Sequence, residues 1–231
     1  MGKTLDNFEK TIKELEDFNL PEYKELPDIA LYMEQVVGYI KECLEQFSNK
    51  DDSIITPFMV NNYVKAKIIN PPKDKKYNRD HIGYLIAISM LKSVVSMRDI
   101  AVFIDLDRKS DLYTDKQNLY SFFKSIENES LKNVIHKVKT RTEVFKKANN
   151  SKKNKKENFS EDLYEQANLA YIALRLYTES ECNKLIADKI MSQLSNEMMP
   201  EKVLNENDIM KIDKRKTLLE AKKLADRNKK K

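Results

Sequence analysis

Glycine and proline are scarce in this chain, three and six among 231 residues. So few glycines exclude the glycine-rich loops that cradle phosphate and argue against a sheet with many tight turns. Tryptophan is absent, and histidine occurs only at His81 and His136. Neither has a Cys or Asp partner at motif spacing, and no HExxH, CxxC, P-loop or nucleophile elbow occurs. No enzyme is expected, so no catalytic residue, cofactor or metal ligand is assigned. The two cysteines, Cys43 and Cys182, lie far apart in helical apolar patterns and read as buried reduced thiols. Long apolar runs are missing too: Ile82–Leu91 covers half of the roughly 20 residues that a membrane helix needs. The opening "MGKTLDNFEK" carries no apolar signal region, and Asp6 stands where a myristoylation pattern wants Ser or Thr. The expectation is a soluble, reducing, cytoplasmic protein that does not engage membrane.

What is present is charge, unevenly spread. The formal net charge is +5. Residues 1–55 hold six Lys against thirteen Asp and Glu; residues 56–98 hold eight Lys and Arg against two acids. Residues 132–156 hold ten basic residues against Glu143, and residues 211–231 hold ten against three. An acidic head is thus followed by three basic blocks, and basic blocks this dense suit a polyanion or a solvated face.

Apolar spacing and capping residues place the helices. Met33, Val36, Val37, Ile40, Leu44 and Phe47 recur at three- and four-residue intervals on one helical stripe, with Asp28 as its expected N-cap. Thr56 as N-cap with Pro57 at the first helical position starts the next helix. Its inner face carries Val60, Tyr63 and Val64, its outer face Asn61, Asn62 and Lys65. Pro71-Pro72 forbid continuation. The flanking "KII" and "KKY" are expected to pair as a small two-stranded wing. Asn78 and Ser96 cap two further apolar helices, the second with Asp99 at its third position.

This order is the layout of a winged helix-turn-helix. In detail, the segment from Met59 to Ile100 resembles the MerR-type DNA-binding domain, where a helix ending in Ile-x-x-Tyr leads to a basic wing closed by tyrosine. Val60 and Tyr63 match the helix, Tyr77 the wing closure, and Leu91 with Ile100 the later core. The closer resemblance is to the bacterial family called domain of unknown function 1836, carried by Leu26–Val37, Asn61–Lys65 and Pro71–Tyr77. It covers Leu26 to about residue 125, under half the chain, and its motifs are specific as a set. The resemblance implies a DNA binder of transcription-factor type. One departure stands out: MerR-type domains usually have Gly where Lys67 stands. If the same left-handed turn is kept, a non-Gly residue there costs about 1 kcal/mol.

The expected fold class is all-α, a MerR-like winged helix-turn-helix with a small β wing followed by a helical C-terminal region. The expected division is an acidic helical arm (1–25), the winged domain (26–125), a basic helix and linker (126–158), and a helical region with a basic tail (159–231). The expected partner is double-stranded DNA, read by helix 57–67 and wing 69–77. Its contacts are Thr56, Asn61, Asn62, Lys65, Lys67, Lys73, Lys75, Lys76 and Arg79, amides suiting adenine edges and lysines suiting phosphate. The other reading is an all-helical protein-interaction module without DNA binding. Leu163, Ala167, Ala170, Leu174 and Tyr177 recur at four-three spacing, which fits a homodimer seam or one helix of an intrachain bundle. No effector ligand is assigned.

Overall fold

The apolar run Ile82–Leu91 lies inside one helix, α4 (Arg79–Leu91) in chain order, at the centre of the larger of two cores. A computed structural model describes residues 3–47, 54–109, 118–153 and 160–198. Among them the chain is mainly helical, with seven α-helices and one two-stranded antiparallel sheet, so the expected all-α class holds. Ile82, Leu85, Ile86 and Ile88 of α4 are all buried, because neighbours cover the helix on several sides. Asn78 caps it, its Oδ1 accepting the His81 N–H at 3.1 Å. Gly83 lets another helix come close: a Cβ there would sit 3.0 Å from Cβ of Tyr120. Tyr120 is itself buried and donates its hydroxyl to the Pro21 carbonyl at 2.8 Å.

The stripe from Val36 to Leu44 faces this core on α2 (Met33–Cys43) and its C-cap. Phe47 is exposed, its ring edge-on to Phe18 at 4.3 Å. Asp28 is not the N-cap. The helix starts five residues later, after Tyr32, whose N–H donates to Gln35 Oε1 at 2.9 Å. The intervening residues form β1 (Leu31–Tyr32), which pairs antiparallel with β2 (Lys76–Tyr77), Leu31 opposite Tyr77. The expected pairing of Lys67–Ile69 with Lys75–Tyr77 is therefore replaced by one in which Lys76-Tyr77 pair with the segment before α2. Ile68 and Ile69 instead bury their side chains in the core, and their amides close the preceding helix.

That helix is α3 (Pro57–Lys65), capped at 3.2 Å by Thr56 Oγ1 accepting the Met59 N–H. Its C-terminus is a Schellman motif: Lys67 adopts φ 58°, Lys67 N–H donates to Val64, and Ile68 N–H donates to Tyr63. The left-handed turn is thus kept with lysine in place of glycine, at a cost of about 1 kcal/mol. The motif's usual apolar contact is available, since Tyr63 and Ile68 are both buried. α5 (Met97–Lys109) follows, capped by Ser96, whose Oγ accepts the Asp99 N–H at 3.1 Å.

The basic helix expected from residue 126 begins earlier, as α6 (Leu119–Lys153), which Asn118 caps. The linker expected to follow it within 126–158 is helical up to Lys153, and residues 154–158 lie outside the described residues. α6 leaves the larger core and joins a second one with α1 (Lys3–Glu16) and α7 (Glu161–Met198), built on Ile12, Ile135, Val138 and Ile172. Leu131 packs against both cores, so α6 ties them together.

Acidic α1 also meets the second basic block. Glu16 pairs with Lys139 and Glu9 with Lys146, while Glu179 of α7 receives Arg141 at 3.2 Å and Lys137 at 3.4 Å. The guanidinium of Arg175, then that of Arg141, holds the Glu179 carboxyl down at about 2. Four cations of this block, Lys137, Lys139, Arg141 and Lys146, are thus met within the chain. The basic tail expected at 207–231 lies outside the described residues.

Candidate nucleic-acid interface

α3 buries one side and shows the other. Val60 and Tyr63 enter the core, while Asn61 and Lys65 are exposed and Asn62 is half-exposed. Lys67 is exposed at the left-handed turn. Tyr63 and Tyr77 are core residues, as their apolar bodies suggest.

The wing tip is built by the turn Lys73–Lys76. Asp74 and Lys75 both take positive φ, 52° and 61°, the pattern of a type I′ hairpin turn, and Lys76 N–H donates to the Lys73 carbonyl at 2.9 Å. Lys73 and Lys75 are exposed at this tip. Lys76 is half-buried, its Nζ 5.0 Å from the centre of the Tyr32 ring on the paired strand, a cation–π arrangement. Between Thr56 and Tyr77 five lysines face one acid, Asp74.

Two side chains brace the segment between α3 and the tip, and a third fixes the chain ahead of β1. Arg108 of α5 donates to the Ile68 carbonyl at 3.1 Å, and His81 Nε2 lies 3.1 Å from the Asn70 carbonyl oxygen. Arg79 Nε donates to the Leu26 carbonyl at 3.1 Å, its guanidinium 5.6 Å over the Tyr23 ring, while the Tyr23 hydroxyl binds Asp80. Arg79 is therefore engaged through Nε at Leu26 and stacked on Tyr23. Thr56 is likewise occupied as a cap. With Pro57 lacking an N–H and the Met59 N–H taken by Thr56, the α3 N-terminus offers less to phosphate than its sequence implied.

His81 is the residue that sequence reasoning passed over. Its ring stands edge-on to Tyr77 at 5.5 Å, and its Nδ1 lies 3.2 Å from the Asn78 N–H. The signal was its place three residues after an N-cap asparagine, where capping boxes put a side chain that reaches back. Burial pushes its pKa below the ordinary 6.5, and Arg108 adds to this against the Asn70 carbonyl and Asp80. The folded ring binds its proton less readily than the unfolded one, so this contribution is complete above pH 6.5 and is lost as pH falls through the lower folded value. Urea midpoints of the parent are expected to fall between about pH 7.5 and about pH 5.5, by more than those of His81→Gln. Equal falls would remove His81 from this role.

The cysteines differ from expectation. Cys43 is half-buried, and burial pushes its thiol up, but Cys182 is exposed on α7. Among the described residues no three His, Cys, Asp or Glu side chains are grouped to hold a metal ion, and no helix is long and apolar enough to cross a membrane. The stripe Leu163, Leu174, Tyr177 is exposed, with Ala170 exposed and Ala167 half-exposed. It is Leu169, Ile172 and Leu176 that pack within the chain.

The segment that carries this surface is a helical unit with a two-stranded antiparallel pairing at its edge. Residues 21–126 match the family model described as Domain of unknown function (DUF1836), which supports the family resemblance seen in the sequence. The matched segment opens at Pro21, which accepts the Tyr120 hydroxyl, and closes inside α6. Neither the curated proteins nor the solved structures give a match.

Proposed function

We propose that residues 21–126 form a winged helix-turn-helix of MerR type that binds duplex DNA and serves in transcriptional regulation. One observation supports this best. The amides and lysines on the open face of α3 are joined to the lysines of the wing tip by backbone that Arg108 holds at Ile68 and His81 holds at Asn70. A cationic surface held in this way loses little freedom on binding, which is what a preorganised interface requires. A helix of α3's width fits the major groove, where Asn61 and Asn62 meet adenine edges. Lys65, Lys67, Lys73 and Lys75 serve phosphate, and Lys76 supports the tip through Tyr32. Pairing of the 132–156 block with α1 and Glu179 leaves the α3–wing region as the better cationic candidate.

The test is retention of the full chain on random-sequence duplex DNA across a salt series. Tight binding at low salt that weakens log-linearly as salt rises is expected. No retention at the lowest salt would sink the reading in favour of a protein-interaction module.

A further inference from the structure

We propose that the groove between the end of α1 and α6 binds a small amphipathic monocarboxylate, an acyl chain ending in a carboxylate. The two helices and the chain just after α1 enclose a cavity of about 290 Å³. That is near the lower bound for small-molecule sites, roughly 300–1,000 Å³. Its floor is apolar, made by Leu15, Phe18, Leu131 and Ile135. Phe18 and Ile135 are buried, and Leu15 and Leu131 are half-buried. Phe18 belongs to the larger core and Ile135 to the smaller, so the groove lies over the junction that α6 makes between them. Water over such a floor finds few hydrogen-bond partners, and an apolar group that displaces it gains affinity.

Shape and rim charge select the occupant. α6 lines the groove from Asn128 to Lys139, eleven residues on. At about 1.5 Å per residue that is roughly 16 Å of helix. A cavity of this volume drawn out over that length is narrow, and it takes a linear chain better than a fused ring system. A pair closes each end. Asn128 Nδ2 donates to Asn19 Oδ1 at 2.9 Å, and Lys139 binds Glu16. Between these pairs stand Lys132 and His136, both exposed, whose side chains have no hydrogen-bond or ion-pair partner among the described residues. Lys139 is spent on Glu16, which leaves Lys132 as the uncommitted ammonium of the rim. One carboxylate matches one ammonium in a charge-assisted hydrogen bond. Its second oxygen can accept from a ring N–H of His136, one turn further along α6. A phosphate monoester brings about two negative charges, and the surplus would face Glu16.

Calorimetric titration of the full chain with decanoate, kept below the concentration at which it forms micelles, tests the site without DNA. Saturable binding of one decanoate per chain is expected, with the thermal midpoint rising as the site fills. Decanol and decylammonium share the chain but not the carboxylate, and are expected to bind more weakly by about tenfold or more, the worth of one charge-assisted hydrogen bond. Acetate, which has the carboxylate without the chain, is expected to give no binding. Lys132→Glu is expected to weaken decanoate by a similar factor and to keep the fold, since Lys132 is exposed. Leu15→Trp, which sets a large ring on the floor, is expected to abolish binding at unchanged helicity. No binding by the parent would overturn the proposal. So would decanol binding as tightly as decanoate, or uptake of several decanoates per chain without saturation. Parent-like affinity in Lys132→Glu, or in a folded Leu15→Trp, would overturn it as well, and Lys132→Glu decides even where Leu15→Trp loses helicity.

Discussion

Tyr63→Ala is expected to lower the unfolding free energy by about 3–5 kcal/mol, the cost of emptying an aromatic site in a packed core. Tyr63 is 7% exposed and sits among the buried residues that α4 organises. Burial also pushes its hydroxyl pKa up, as expected for a phenol surrounded by apolar groups. Its backbone carbonyl accepts the Ile68 amide that closes α3, so the residue fixes both the inner face of the helix and its end. The cavity therefore opens where the helix turns into the wing. Asn61→Ala, on the exposed face of the same helix, is the control and should stay within about 0.5 kcal/mol of the parent. Urea unfolding followed by helicity measures both. If the tyrosine variant unfolds like the parent, the inner face of α3 is not the one that carries Tyr63.

The signals legible in the sequence are local ones. Thr56-Pro57, Asn78 and Ser96 each cap a helix within three residues of themselves, and the geometry of each cap follows from one side chain. The stripe of α2 records burial in its spacing, and the continuous apolar run of α4 records burial on several sides. What was not legible depends on residues far apart. Leu31-Tyr32 carry the same apolar spacing as the helix that follows them, and only the approach of Lys76-Tyr77 makes them a strand. The cations of the 132–156 block read as a site for a polyanion because their partners, Glu9, Glu16 and Glu179, lie dozens of residues away on α1 and α7. Arg79 looked free for the same reason, its acceptor being the Leu26 carbonyl. α7 was ambiguous because it carries two apolar faces, and spacing alone does not say which of them the chain keeps for itself.

Removing Lys65, Lys73 and Lys75 together is expected to weaken binding to every duplex by a similar factor, whatever its sequence. All three are exposed, so their loss should leave the fold intact. An ammonium on a flexible stem serves phosphate as a point charge and carries no base information. The slope of log affinity against log salt shrinks by about 0.9 for each phosphate no longer neutralised, so the triple alanine variant should lose roughly 2.7. Asn61→Ala should behave in the opposite manner. A planar amide holding adenine through two hydrogen bonds contributes about 1–3 kcal/mol of discrimination at one base pair and little elsewhere. That variant should keep the parent's salt slope and its affinity for random DNA, while losing preference at a single position of a selected site. Lys76→Ala falls between the two, because its ammonium rests over the Tyr32 ring and steadies the turn that carries Lys73 and Lys75. Binding of parent and variants to a selected site and to random duplex, over one salt series, separates these effects. If the triple variant binds random DNA as tightly as the parent at every salt concentration, the lysines of α3 and the wing are a solvated surface and the DNA reading fails there.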